Sequence, residues 1–284
     1  MKKQLYVITF AIIGLLSLSA HGAKNEPAVQ KQYREHENLI IAGSGSNLPI
    51  TGRLAEYYSQ KYGEKLELPN SIGSSGAIKA VMEGAIDLGL ISRPVKDEEK
   101  SEGLKQIPYA RIGVVIGVNP DVPDNNISYQ DLTEIYQGKK AQWRNGRMII
   151  VLMREPGDST NLLLEEKVPG FREALRDSFK ERRWQIFYTD VEVAQAIERT
   201  HSSIGFTDTG MLAVFKPDIK PLNVNGVAPT MENVKNGRYG LSKDLYFVYK
   251  EPLSTRAKKF LDFVFSEEGR RIIEMNGGIP VRGM

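Results

Sequence analysis

The segment MREPGDSTNLLLEE, residues 153–166, sets an arginine, Arg154, a carboxylate, Asp158, and two hydroxyls, Ser159 and Thr160, just before an apolar, helix-like run. A planar guanidinium can grip an oxyanion with two parallel hydrogen bonds. The first N–H groups of a helix lack internal partners, and the helix dipole adds partial positive charge there, so a small anion can be held with no base or metal. Two other turns share this design, residues 43–47 with Ser46 and Asn47, and residues 73–76 with Ser74 and Ser75. Each follows a strand-like run, is rich in glycine and serine, and opens a helix. Any one of them alone reads as ordinary helix capping; their recurrence points to one small oxyanion gripped from three sides. Asp158 stands open between a helix N-cap and a ligand contact. Arg93, in LISRPV, stands open between a surface residue and a partner for Asp158.

Other chemistry finds little support. Beyond the leader described below, His36 and His201 have no metal-ligand spacing to a second histidine or to a cysteine. Ser74, Ser75 and Ser159 have no activating base in a recognisable setting, and no nucleophile elbow is present. No catalytic residue, metal ligand or cofactor is therefore assigned. The basic run over residues 171–188 is interleaved with Glu173, Asp177 and Glu181, as on a solvated helix face, and Trp143 and Trp184 read as packing residues.

These turns need elements to position them. Lys2 and Lys3 precede an apolar run over residues 5–18 that ends in small residues, as in a secretory signal peptide over residues 1–22. The chain has no cysteine, so neither disulfides nor a lipid-acceptor cysteine is expected, and the exported protein should be periplasmic and free of a lipid anchor. Without the two leader lysines, 36 basic residues face 35 acidic ones, which removes the charge excess that nucleic-acid binding uses. From residue 39, strand, turn and helix alternate: strands over 39–42, 66–68 and 86–91, helices after residue 48 and over 77–83. Such alternation predicts an α/β fold with a parallel sheet. Residues 107–120 read as a strand long enough to leave one lobe and enter another, 148–152 as the strand feeding Arg154, and 243–250 as the strand that returns. A final helix is expected over residues 254–277, with Ser254 as N-cap.

In order, AGSGSNLP, SIGSSGAIKAVMEGAIDLGLISRP, LTEIYQGKKAQW, REPGDST, SSIGFTDTG and LSKDLYFVYKEPLSTRAKKFLDFVFSEEGRRII resemble the periplasmic phosphate-binding proteins of high-affinity phosphate ABC transporters. The resemblance runs over residues 39–281. It implies the type II periplasmic-binding-protein fold, two α/β lobes joined by two crossing segments with a ligand cleft between them. Lobe I would comprise residues 36–117 and 245–284, and lobe II residues 118–244. It further implies phosphate contacts from Asn47 and the backbone of Leu48, and from Ser74, Arg154, Ser159 and Thr160. Three positions depart from the best-known members: Asn47 replaces a threonine, Arg93 an aspartate that accepts the phosphate proton, and Asp158 a serine. A carboxylate beside a bound oxyanion repels sulfate yet can accept a hydrogen bond from hydrogen phosphate. Asp158 is expected to take over that role, with Arg93 and Arg154 offsetting its charge; the competing reading pairs Asp158 with Arg93 and leaves the ligand another anion. The partners implied are inorganic phosphate or a related oxyanion and the membrane permease of an ABC importer, with a signalling sensor, or an enzyme on the same fold, as alternatives. The protein is expected to be a monomer.

Overall fold

The computed structural model describes residues 38–281; the expected leader and His36 lie outside them. The chain runs β1 (Leu39–Gly43), α1 (Leu48–Tyr62), β2 (Leu66–Glu67), α2 (Gly73–Glu83), β3 (Leu88–Ile91) and β4 (Leu104–Val118). It continues through β5 (Asn126–Ile127), α3 (Tyr129–Tyr136), β6 (Ile150–Arg154), α4 (Ser159–Lys167), α5 (Phe171–Glu181), β7 (Gln185–Phe187) and α6 (Asp190–Arg199). After β8 (Ser203–Asp208) come α7 (Thr209–Phe215), β9 (Lys220–Pro221), β10 (Asn223–Val224), α8 (Met231–Lys235) and β11 (Ser242–Lys250). The last elements are α9 (Thr255–Phe265), α10 (Glu267–Met275) and β12 (Ile279–Pro280).

The main sheet follows the order β2-β1-β3-β11-β4-β8-β6-β7. Its two ends are parallel, β1 with β2 and β3, and β6 with β7 and β8. The centre departs from the all-parallel expectation: β11 runs antiparallel to β3 and β4, and β4 antiparallel to β8. The reason is topological, since one strand carries the chain out of the first lobe and the other brings it back. β4 changes partner along its length, with Gly113 opposite Ser242 of β11 and Val114 opposite Asp208 of β8.

Each lobe has its own core. Ile41, Leu54, Leu88, Ile112, Phe247 and Phe260 lie in one cluster, and Ile116, Leu132, Val151, Phe171, Phe206 and Leu241 in the other. Full burial of a side chain of this size contributes about 1.5–3 kcal/mol. The tryptophans pack as expected. Trp143 is buried and donates from Nε1 to the Ser202 carbonyl at 2.8 Å, while Trp184 packs against the second core. His201 is exposed, 3.0 Å from Asp121. Among the described residues no helix is long and apolar enough to cross a membrane.

The single final helix expected from the sequence is two. Ser266 takes extended backbone and its side chain accepts from the Gly269 N–H, so it caps α10 and interrupts the run. Glu267 and Glu268 in the first turn favour the dipole of the new helix. Gly269 is needed at the junction because a Cβ there would stand 2.3 Å from the carbonyl oxygens of Phe263 and Val264. Gly269→Ala is expected to cost about 1–3 kcal/mol through overpacking. Gly52→Ala, inside α1 where a Cβ meets nothing, should instead raise stability by about 0.5–1 kcal/mol. Urea denaturation of the two variants checks the contrast.

Candidate functional site

Strand ends from both lobes meet at one cleft of about 200 Å³. β1 passes into Ser44, Gly45 and Ser46, and α2 opens with Ser74 and Ser75 in its first turn. From the second lobe, β6 ends on Arg154, α4 opens at Ser159 behind Asp158, and α6 opens at Asp190. Ser44, Gly45, Ser74 and Ser75 line one side, and Arg154, Asp158, Ser159 and Asp190 the other. Ligands in open α/β sheets sit at such carboxyl ends of strands.

Arg154 is the electrostatic centre of this wall. It is 3% exposed, and burial works against its charge. The carboxylates of Asp190 at 3.0 Å, Asp158 at 3.2 Å and Glu155 at 3.6 Å more than offset that, so its pKa is raised. Asp190 shows the converse balance: burial pushes its carboxyl up, but Arg154 and Lys243 hold it below the usual carboxylate range. Glu155 is pushed up by burial, which Arg154 only partly counters. Gly45 makes the central pair possible, because a Cβ there would lie 2.1 Å from Asp190 Oδ2.

A chain of hydroxyls links the two sides. Ser44 Oγ lies 2.6 Å from Ser92 Oγ, which lies 2.7 Å from Ser159 Oγ; the Ser92 amide donates to Ser74 Oγ at 3.2 Å. Lys243 Nζ, arriving on β11, donates to Ser46, Ser159 and Thr160, and Ser46 Oγ donates to Asp190 Oδ1 at 3.1 Å.

Of the residues singled out from sequence, Ser74, Ser75, Arg154, Asp158 and Ser159 line the cleft. Ser46 and Thr160 are buried beside it rather than lining it, and both accept from Lys243. Asn47 is fully buried; its Oδ1 accepts from the Tyr109 hydroxyl at 3.0 Å and its Nδ2 has no partner. Leu48 is half-buried against the first core. Arg93 does not pair with Asp158. It holds Glu99 at 2.6 Å and Ser75 Oγ at 2.8 Å, and its contact keeps the Glu99 pKa at about 2. Asp158 is the N-cap of α4, accepting from the amides of Thr160 at 2.9 Å and Asn161 at 3.4 Å, with its second oxygen on Arg154.

Sequence reasoning missed Ser44, Ser92, Asp190, Lys243 and Asp208. Asp190 had a readable signal, since it opens a helix after the short strand β7 in the same pattern as the three turns, but β7 was hidden within the basic run. Lys243 had one too. It stands in phase with Leu245 and Phe247 on a period of two, and all three are buried. Asp208 caps α7 through the Met211 amide at 2.8 Å.

Burial, with the Asp190 charge nearby, pushes the Asp208 pKa up to about 7. A carboxyl raised in the folded state binds more protons there than in the unfolded chain. Its contribution to stability is therefore full below its ordinary value and is lost as pH rises toward 7. Asp208→Asn, which keeps an oxygen for the Met211 amide, should be more stable than the parent at pH 8, with the difference shrinking toward pH 4. Urea midpoints at the two pH values measure it.

Comparison with known proteins agrees with this geometry. A family model described as a PBP superfamily domain matches residues 23–268. The crystal structure of a phosphate-bound protein from Clostridium perfringens, assigned to phosphate ABC transport, superposes with a TM-score of 0.78 at 31% identity, covering 86% of this chain and 100% of that one. The phosphate-binding protein PstS of Staphylococcus saprophyticus is 26% identical over 242 residues, 79% of this chain and 74% of its own. PstS of Bacillus subtilis is 25% identical over 269 residues, 92% of this chain and 86% of its own. With a family model spanning most of its length, two lobes and a cleft at the strand ends, the chain belongs to the PBP superfamily, in its type II periplasmic-binding-protein form.

Proposed function

We propose that this protein is an extracytoplasmic solute-binding protein that captures inorganic phosphate, or a closely related tetrahedral oxyanion, and delivers it to the membrane permease of an ABC importer. The observation that carries the reading is the convergence of hydroxyl-bearing strand-to-helix turns from both lobes on one cleft around buried Arg154. The phosphate bound by the Clostridium perfringens relative supports the ligand class. Ser46, Asn47, Leu48, Ser74, Ser75, Arg93, Arg154, Asp158, Ser159 and Thr160 remain the proposed ligand-binding set, with the cleft-lining members as direct contacts. Asn47, Leu48 and Arg93 would act from behind them.

In this reading residues 36–117 with 245–284 form one lobe and residues 118–244 the other. The cores divide nearby, between Ile112 and Val114 on β4, a few residues ahead of that boundary, and between Leu241 and Leu245. Export through the expected leader, residues 1–22, would leave a periplasmic protein. Closure of the lobes on the anion would couple ligand binding to recognition by the permease, since both favour the closed state.

The wall carboxylates supply selectivity. Asp158 and Asp190 repel an anion with no proton to share, whereas hydrogen phosphate can donate to a carboxylate oxygen. Each charge-assisted hydrogen bond contributes roughly 1.5–3 kcal/mol, so a handful reaches the roughly 8 kcal/mol of micromolar binding.

Calorimetric titration of stripped protein with phosphate, arsenate, molybdate and sulfate should give micromolar or tighter binding of phosphate and no heat with sulfate. The absence of heat with every tetrahedral oxyanion would overturn the reading. Arg154→Lys should weaken phosphate binding by roughly tenfold or more, because a lysine loses the two-pronged contact. Asp158→Asn should narrow the phosphate-over-sulfate gap; an unchanged gap removes Asp158 from that role.

A further inference from the structure

Lys243 occupies an inward position of β11, between the two lobes, with 7% of its surface exposed. Burying an amine is unfavourable unless its donors are matched, and here all are. Its Nζ donates to Ser46 Oγ at 3.0 Å, Ser159 Oγ at 3.0 Å and Thr160 Oγ1 at 2.9 Å. The three contacts match in number the three N–H donors that a lysine side chain carries. None of the acceptors is a carboxylate; the nearest counter-charge in the network, Asp190, is reached through Ser46.

A hydroxyl whose oxygen accepts from an ammonium must aim its own proton elsewhere. Ser46 aims its proton at Asp190. Ser159, on the cleft wall, shares a 2.7 Å contact with Ser92. Thr160, next to Ser159 in the first turn of α4, is buried and has no other side-chain partner among the described residues, so its proton is uncommitted.

We propose that Lys243 is a positioning residue of the oxyanion site. It takes the hydroxyl lone pairs of Ser159 and Thr160, fixes both groups as donors toward the anion, and brings a second buried positive charge to a wall where Arg154 faces three carboxylates. This rests on the oxyanion-binding reading above and adds to it a residue on the crossing strand, outside the three turns. A cation placed there also ties Ser46 of the first turn to Ser159 and Thr160 of α4 through β11.

The test is a double-mutant cycle read by calorimetric titration with inorganic phosphate on the parent protein, Lys243→Met, Thr160→Val and the double variant. Each single change is expected to weaken phosphate binding roughly ten- to a hundredfold. The double variant should lose clearly less than the product of the two, because removing the hydroxyl removes what the ammonium orients. Lys243→Met within twofold of the parent, or losses that multiply fully, would overturn the proposal and leave Lys243 a strut between lobes. A strut lowers the melting temperature without coupling to Thr160. If circular dichroism shows Lys243→Met unfolded, Lys243→Gln, which keeps the length and two donors without the charge, enters the same cycle with the same criteria. A parent protein that takes up no phosphate removes the ligand reading and this proposal with it, and is distinguished by failing before any substitution is made.

Discussion

Everything at the cleft depends on keeping one arginine charged inside the protein. Arg154 cannot give up its proton, and an isolated buried charge is costly by several kcal/mol. The structure meets this by surrounding it with Asp190, Asp158 and Glu155. Glu155 and Asp158 come from the turn between β6 and α4, and Asp190 from the turn between β7 and α6, so the arginine fixes how two strand-to-helix turns sit against each other. Gly45 extends the constraint into the first lobe, since only a residue without a Cβ lets Asp190 approach that turn.

The same compensation shapes what the cleft can accept. Three carboxylates around one guanidinium would make a poor anion site by themselves. Lys243 shifts the balance from behind, through the hydroxyls it holds. The helix starts at Gly73, Ser159 and Asp190 add dipoles aimed at the cleft. The cleft thus sets helix starts, hydroxyls and the buried Arg154 beside the carboxylates of Asp158 and Asp190. Relatives that match this chain include phosphate-binding proteins.

The sheet explains how two lobes can share such a site. β4 belongs to both, pairing with β11 up to Gly113 and with β8 from Val114. A strand that changes partner along its length transmits the orientation of one core to the other without a loop between them. Lys243 lies on the antiparallel neighbour of that strand, next to the switch, where Lys243 opposes Ile112.

The sequence alone was enough for the α/β alternation, the Gly/Ser turns at strand ends and the pairing of Arg154 with short hydroxyls before a helix. Those features are local, set by the period of apolar residues and by the chemistry of helix starts. It also carried an unread signal at Lys243, a cation in phase with buried Leu245 and Phe247. Only the tertiary structure decided which charges meet. Arg93 went to Glu99 and Asp158 to Arg154, each within its own connection, because the path of the turn sets which of several nearby charges come together. Asp190 entered the site from 36 positions beyond Arg154, across a strand pairing that spacing along the chain does not encode. The break at Ser266 was likewise settled by packing, since α10 could turn back only where Gly269 fits against the last carbonyls of α9.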